Sequence, residues 1–340
     1  MKNRKELILK EIVDGYIETG EPISSKMILE EYDLDYSSAT VRNDMHELED
    51  EGYLKKPYTS GGRVPTVEGY RYFVSWLLEL SELSGEEQKA IVEAYDFEQQ
   101  NTERLLRNTA TLLANITGYA GFVLGPDLEE RHVRYFTLTQ LDRTHLMAIL
   151  VTDIGLVENR VIESDREITE EELEQINPLL SDRLEGTQLK KLKELQNVDL
   201  NEEGWYDKLT RDSFLLIRNF VRERSERRLY LEGPLNIIGD GPEEKQDPEK
   251  LKKVFNYLDE ENLEKITDSC KENENQITAI VGLQDDTDLL PYSMIIKRLA
   301  NCSSTLGIMG PINMDYSKSF STVQYIGSRL DSLLTGGKQN

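Results

Sequence analysis

Hydrophobic side chains recur every three or four residues in three segments near the start of the chain, which is the spacing of amphipathic helices. We predict helices over residues 5–19, 25–32 and 38–51. Gly20 and Pro22 interrupt the pattern after the first segment, and Ser37 or Ser38 is placed to cap the third helix. The chain therefore starts with three short helices joined by brief turns.

A β-hairpin is predicted next. Two extended arms, at residues 53–56 and 63–65, flank a Thr-Ser-Gly-Gly turn in which glycine supplies the backbone conformations that tight turns need. Thr66 caps a further helix over residues 66–83, and a long helix over residues 86–118 is expected to link this part to the rest. Three helices, a hairpin and a helix are the order of a winged helix-turn-helix.

Beyond residue 120 the pattern changes to short apolar runs that indicate strands, with helices between them. Strands are predicted over residues 121–124, 133–141, 146–152, 157–162, 236–238, 277–283 and 304–309. Helices are predicted over residues 169–184, 188–195, 205–229, 248–258, 260–271 and 315–334. With 340 residues, this mixture predicts an α+β protein of two or three domains.

The net charge of −24 argues against a protein that coats nucleic acid non-specifically, because phosphate contacts need Lys and Arg. Residues 54–71 nevertheless hold four Lys or Arg and one acidic residue, which is either a local basic footprint or a chance fluctuation on an acidic surface. The first residues lack the continuous apolar segment of a secretion signal, and no apolar run is long enough to cross a bilayer. We therefore expect a cytoplasmic protein.

The third predicted helix has the polar residues that a recognition helix needs. In a helix-turn-helix, the start of the second helix of the motif faces base edges in the major groove. The candidate contacts there are Ser37, Ser38, Thr40, Arg42 and Asn43. Arginine can read guanine and asparagine can read adenine, each through two hydrogen bonds. Asp44 and Glu47 would repel phosphate, so we expect the fold to angle them away from DNA or toward cytosine amino groups.

The predicted wing supplies candidates for phosphate contacts. They are Lys55, Lys56, Thr59, Ser60, Gly62 and Arg63, with Arg63 also a candidate for the minor groove and Gly62 for close approach of its backbone amide. The alternative is a winged helix that contacts another protein, with Arg42 paired to Asp44, Glu49 or an acidic residue near the N-terminus.

Catalytic and metal-binding motifs are missing from the sequence, so we expect no enzyme activity, cofactor or metal. His46, His132 and His145 are dispersed, and there is no zinc-protease motif, phosphate-binding loop or nucleophile elbow. Cys270 and Cys302 are too few for a disulfide framework and are not spaced for zinc.

Five segments resemble the HrcA family, the heat-inducible transcription repressors. They are TGEPISSK (19–26), SSATVRNDMHELEDEGYL (37–54), TSGGRVPTVEGYR (59–71), LVENRVI (156–162) and GIMGPINMDYSKSFSTVQYI (307–326). The resemblance implies a homodimer that binds an inverted-repeat operator, CIRCE, and represses chaperone operons of the groE and dnaK type. It also implies that a chaperonin modulates the repressor.

The resemblance further implies a domain plan. A winged helix-turn-helix is expected at residues 1–75 and a helical linker at 76–118; a GAF-like α/β domain at 119–164 and 226–340 is interrupted by an inserted dimerisation domain at 165–225. Two departures from the family pattern are visible. The wing reads YTSGG where HTSAG is usual, which changes Tyr58 and Gly61, and VGLQDD at 281–286 puts Gln284 where a charge is usual.

A small-molecule-gated regulator is the rival hypothesis, because GAF-like folds often hold a ligand between sheet and helices. Residues 307–311 could line such a pocket. They are equally typical of a strand end followed by a turn before the last helix, which is the interpretation we favour.

Overall fold

The computed structural model describes residues 3–31, 36–57, 62–96, 102–164, 166–194, 228–237, 248–269, 276–283, 287–299 and 304–334. It is an α+β protein in which all strand pairs are antiparallel within these ranges. Among the described residues no helix is both long and apolar enough to cross a membrane.

The N-terminal elements follow the predicted order. They are α1 (Asn3–Thr19), α2 (Ser25–Glu31), α3 (Ser38–Asp50), β1 (Leu54–Lys55), β2 (Val64–Pro65) and α4 (Val67–Tyr72). Ser37 and Thr66 cap α3 and α4 as expected. The side-chain oxygen of each accepts a hydrogen bond from the backbone amide three residues later in the chain. Of the apolar positions used for the prediction, Ile8, Ile12, Val13, Val41 and Leu48 are fully buried in one core, whereas Tyr16 and Ile17 are partly buried and Ala39 is exposed.

The helices that follow differ from the prediction. A π-helical turn, Phe73–Leu77, continues α4, and the chain is extended by Leu78, so the helix stops short of residue 83. The predicted helix over residues 86–118 is two helices, α5 (Gly85–Asp96) and α6 (Thr102–Thr117), with residues 97–101 outside the described part. Because α6 buries Leu106, Ala110 and Leu113 against the neighbouring sheet and last helix, it is part of a core and does more than link domains.

The remaining elements follow in chain order. They are β3 (Ala120–Leu124), β4 (Val133–Gln140), β5 (His145–Thr152), β6 (Val157–Glu163), α7 (Glu170–Leu184), α8 (Leu189–Glu194), β7 (Leu229–Glu232), α9 (Pro248–Tyr257), α10 (Glu260–Ser269), β8 (Ile277–Val281), β9 (Tyr292–Leu299), β10 (Ser304–Pro311) and α11 (Tyr316–Leu334). Their strands form two separate sheets.

The large sheet has the strand order β7-β3-β10-β9-β8. Successive residues of β3 face opposite sides: Val123 joins the core of α6 and α11, whereas Phe122 and Leu124 join that of α9 and α10. The sheet is therefore covered by helices on both faces. The core on the α6 side continues into the N-terminal helices.

The small sheet, β4-β5-β6, has its own core with α7 and α8. The resemblance assigned residues 119–164 to the GAF-like domain; of that range, only β3 adds a strand to the large sheet. The chain leaves the large sheet after Leu124 and returns to it at Leu229, because β3 pairs with β7. In the chain, residues 133–163 of the small sheet thus come between β3 and β7, which are neighbouring strands of the large sheet.

Two strand predictions and one helix prediction were wrong or incomplete. The sequence analysis missed β9, in which every residue is buried, Lys297 and Arg298 included, so no alternation marks it as a strand. It placed a strand at residues 236–238, but the strand is β7 and Pro234–Ile237 is a 3-10 turn. Of the helix predicted at residues 205–229, residues up to 227 lie outside the described part, and Leu229 begins β7.

The segment 307–311 is confirmed as a strand end and turn. It belongs to β10, where a Cβ on Gly307 would lie 2.4 Å from the Ile295 carbonyl oxygen, so its glycine serves close packing inside the sheet. Both cysteines lie outside the described residues, as does Gln284.

Candidate nucleic-acid interface

The start of α3 is fixed by two hydroxyl groups. The Ser37 Oγ accepts a hydrogen bond from the Thr40 amide at 3.1 Å and lies 2.8 Å from the Thr40 Oγ1. These contacts satisfy a backbone amide that has no partner within the helix, so they define where α3 begins. The Thr40 side chain is half-buried and engaged, whereas Ser37 remains exposed.

The outward face of α3 presents Ser38, Arg42 and Asn43, all exposed, while Val41 and Met45 are buried beneath it. Across the ranges that the structure describes, Arg42 forms no ion pair, so the pairing with Asp44 or Glu49 considered from the sequence does not occur. The Asn43 Nδ2 donates to the Glu47 Oε1 at 2.8 Å, one helical turn away.

Asp44 and Glu47 of α3, and Glu51 directly after it, are paired with residues of α1. Asp44 is only 1% exposed, and its carboxylate accepts hydrogen bonds from the Nε and the Nη2 of Arg4, at 2.5 and 2.8 Å. The Lys5 Nζ lies 2.5 Å from a carboxylate oxygen of Glu47 and 2.7 Å from one of Glu51. The hydrogen bond from Lys5 holds the pKa of Glu47 below its usual value. The sequence did not predict these roles of Arg4 and Lys5. The basic residues at the start of the chain were the one feature that pointed to them.

Two cations of the hairpin meet on one carboxylate. The Lys56 Nζ and the Arg63 Nη2 lie 3.3 and 2.8 Å from the same Glu49 oxygen. The Arg63 side chain is 10% exposed, and its backbone exchanges two hydrogen bonds with Ile23, at 2.8 and 2.9 Å. Lys55 points outward and is exposed. The structure therefore pairs Lys56, which stays 43% exposed, and the nearly buried Arg63 with Glu49, and it leaves Lys55 exposed without an ion pair among the described contacts.

Gly62 is buried against the turn before α2. A Cβ there would lie 2.4 Å from the Ile23 carbonyl oxygen and 2.6 Å from the Pro22 carbonyl carbon. Its missing side chain thus serves internal packing, which differs from the close approach to phosphate expected from the sequence. Thr59 and Ser60 lie outside the described residues, together with Tyr58 and Gly61.

The acidic charge of α3 is largely neutralised by ion pairs. The carboxylates on residues 38–51 are Asp44, Glu47, Glu49, Asp50 and Glu51. Arg4, Lys5, Lys56 and Arg63 pair with all of them except Asp50, which lies 3.1 Å from the His46 Nδ1. Arg42 and Lys55 are left as exposed cations without an ion pair in the part of the chain that the structure describes. Because the carboxylates around them are mostly paired, this surface is not expected to repel phosphate.

Metal coordination finds no support in the described ranges, since no group of three or more His, Cys, Asp or Glu lies together there. His132 and His145 each face a single aspartate, Asp153 and Asp142, at 3.4 and 2.8 Å.

Comparisons with known proteins agree with the resemblance noted from the motifs. A family model described as the HrcA protein C terminal domain matches residues 103–320. The heat-inducible transcription repressor HrcA of Pelotomaculum thermopropionicum is 31% identical over 98% of this chain and 97% of its own length. That of Carboxydothermus hydrogenoformans is 31% identical over 97% of each chain. A crystal structure described as that of a hypothetical protein is 22% identical over 99% of this chain and all of its own, with a TM-score of 0.68.

Proposed function

Because the chain belongs to the HrcA family of heat-inducible transcription repressors, we propose that it binds double-stranded DNA and represses chaperone operons through an inverted-repeat operator of the CIRCE type. The family is one of repressors and not of enzymes. One observation supports the proposal most directly: α3 exposes Arg42, Asn43 and Ser38 while its carboxylates are paired with cations.

We infer that residues 1–75 form a winged helix-turn-helix in which α3 enters the major groove. The order of three helices, hairpin and α4 supports this, as does the capped polar start of α3. Arg42 is placed to read guanine, and Asn43 to read adenine with the second hydrogen of its Nδ2, the first being donated to Glu47. Ser37, Ser38 and Thr40 lie at the helix start, where hydroxyl groups and backbone amides suit a phosphate.

The ion pairs divide the wing residues into two roles. Lys55, Thr59 and Ser60 are proposed to contact backbone phosphates. Lys56 and Arg63 are proposed to act mainly through Glu49, by holding the hairpin against α3, with Gly62 allowing the close approach to the α2 turn. Arg63 reaches DNA in this scheme only if phosphate replaces Glu49 as its partner.

The test is a fluorescence-anisotropy titration with a duplex from the region upstream of this protein's own gene. Arg42→Ala is expected to weaken binding by roughly tenfold or more, since a good bidentate contact to a base is worth about 1–3 kcal/mol. Arg143→Ala is the matched control, because Arg143 is exposed and lies on the turn between β4 and β5. Equal loss in both variants would point to bulk charge and contradict the assignment of Arg42.

We propose a homodimer formed by the unit between β3 and β7, which begins earlier in the chain than the inserted dimerisation domain that the resemblance implied at residues 165–225. The surface of β4–β6 that faces away from α7 is apolar: Tyr135 is 51% exposed, Val157 58% and Val161 53%. Such a contiguous apolar patch is unusual on a monomer and suits a symmetric interface. We place this domain from about residue 126 to 227, within a GAF-like domain made by the large sheet and its helices.

Light scattering tests the dimer. Val161→Glu is expected to give a monomer at micromolar concentration with a normal fold, because the side chain is already half exposed in one chain. Leu235→Glu is the control, since Leu235 is 67% exposed but lies beside the large sheet. If the Val161→Glu protein stays dimeric, the interface does not lie on this surface.

Modulation by a chaperonin is proposed from the family resemblance alone. It predicts that operator binding lost on heating is recovered faster when chaperonin and nucleotide are added. Recovery at the same rate with an inert carrier protein would contradict it.

A further inference from the structure

The first residues of α1 extend across to α3, forty or more positions later in the chain. The Lys5 side chain is 16% exposed and lies between Glu47 and Glu51, with its Nζ 2.5 and 2.7 Å from their oxygens. Arg4 makes a bidentate hydrogen bond to Asp44, and its guanidinium lies 5.7 Å from the centre of the Tyr36 ring. Together they contact three carboxylates spread over two turns of α3.

We propose that Arg4 and Lys5 are positioning residues for DNA recognition, which neutralise the acidic side of α3 and orient Asn43 through Glu47. This inference rests on the proposed binding of DNA by α3. It adds two residues, outside the helix-turn-helix proper, to those on which affinity depends.

Lys5 changes the charge of the surface around α3. Glu47 and Glu51 remain 47% and 41% exposed, so without Lys5 they would carry two uncompensated negative charges beside the phosphates. Lys5 itself is too covered to reach a phosphate while it holds both carboxylates. Its positive charge therefore acts on DNA by cancelling theirs, an effect that salt screens over a distance of about 10 Å at 0.1 M.

Lys5 also orients Asn43 through Glu47. Glu47 accepts from Lys5 on one oxygen and from the Asn43 Nδ2 on the other, at 2.5 and 2.8 Å. Lys5 thus fixes the rotamer of Glu47, and Glu47 fixes the amide that is placed to read adenine. A contact that only stapled α1 to α3 would not predict a change in base preference.

The experiment compares the wild type, Lys5→Met and the triple variant Lys5→Met/Glu47→Gln/Glu51→Gln on the upstream duplex described above. Methionine keeps the length of the side chain, so packing is preserved. Lys5→Met is expected to weaken binding about tenfold at low salt, with the deficit shrinking as salt rises. The triple variant is expected to recover most of the lost affinity, because its charges balance again, but to discriminate less well than the wild type against a duplex changed at the adenine position, because Lys5 no longer holds residue 47. Lys26→Met is the control, because Lys26 pairs only with Glu30 of its own helix among the described contacts.

The outcomes separate the possibilities. Wild-type affinity in Lys5→Met, or a triple variant that stays as weak as Lys5→Met, would overturn the proposal; the latter would mean that Lys5 only staples the fold or touches DNA itself. Circular dichroism melts ensure that all proteins are folded at the assay temperature. If Arg42→Ala binds like the wild type, the proposed function fails, irrespective of the result at Lys5.

Discussion

At the scale of single residues, Glu49 and Gly62 determine where the hairpin lies. Glu49 receives both Lys56 and Arg63, and Gly62 allows the backbone of the hairpin to touch the turn before α2. Glu49 thus ties the hairpin to α3, and Gly62 lets it pack on the turn before α2. A change at either residue is expected to alter DNA binding without touching DNA.

Gly62→Ala is expected to destabilise the protein by about 1–3 kcal/mol, because the added Cβ would overlap the Ile23 carbonyl oxygen at 2.4 Å. The measurement is the free energy of unfolding in urea. Gly85→Ala is the control: a Cβ there meets no atom within 4 Å, and we expect a change of less than about 0.5 kcal/mol. Equal effects of the two substitutions would show that the contact at Ile23 relaxes freely.

The exposed half of the site was predictable from sequence and the paired half was not. Ser38, Arg42 and Asn43 follow a capping serine at helical spacing, so local pattern identifies them. The partners Arg4 with Asp44 and Glu49 with Arg63 are set by packing of α1 and the hairpin on α3, and no local rule gives contacts across 40 residues. For that reason Arg4 and Lys5 were missed and Arg63 was assigned to DNA.

At the scale of elements, α5 shows how a short helix is tied at its start. The Ser84 amide and hydroxyl donate to the Glu87 Oε2 at 2.9 and 2.8 Å, and the Lys318 Nζ lies 2.9 Å from the Glu87 Oε1. The capping contacts therefore also join α5 to α11. The hydrogen bond from Lys318, followed by those from Ser84, lowers the pKa of Glu87 to about 2.

This lowered pKa predicts a pH dependence of stability. The ordinary value is 4.5, so the contribution of ionised Glu87 is complete above pH 4.5 and is lost as the pH falls from 4.5 to about 2. In thermal unfolding, Glu87→Gln is expected to have a lower melting temperature than the wild type at pH 6. The difference in melting temperature is expected to close by pH 2. Its exposed neighbour Glu86 provides the control substitution to glutamine. A gap that persists unchanged at pH 2 would rule out this contact as its cause.

Elements with alternating or helical patterns were predictable, whereas buried ones were not. In β4, β5 and α7 the buried positions recur at strand or helix spacing, and their predicted bounds agree with the structure to within a residue or two. β9 has no polar face because helices cover both sides of the sheet, and Lys297 is buried there with its Nζ on Gln324 and Ser328. Tertiary burial therefore removes the alternation on which the prediction depends.

At the scale of the whole molecule, the N-terminal helices and the large sheet share contacts. The Arg71 Nε and Nη2 donate to the carbonyl oxygens of Val281 and Gly282, at 2.9 and 3.2 Å, and the Tyr70 and Tyr316 rings lie 6.3 Å apart. Gly282 has a φ of +66°, and a Cβ on it would lie 2.6 Å from the Val67 Cγ1. The end of β8 thus holds α4 in place.

Arg71→Ala is expected to lower the free energy of local unfolding of α1–α4 by about 1–2 kcal/mol, because two carbonyl oxygens lose a charged donor. Hydrogen exchange measured by mass spectrometry would report faster exchange in α1–α4 and unchanged exchange in β4–β6. Arg134→Ala, at an exposed position on β4, is the control. Uniform acceleration over the whole chain would instead indicate one cooperative unit.

The pairing of β3 with β7 has a consequence for how such a protein is assembled and altered. Leu124 faces Leu229, and the Gly125 amide donates to the Arg228 carbonyl oxygen at 2.8 Å, so the stretch between them leaves and re-enters at one point on the edge of the large sheet. A tight turn could close that gap, since adjacent antiparallel strands need only about two residues to connect. The intervening segment is therefore a cassette that recombination can lengthen, shorten or exchange while the host sheet keeps its register.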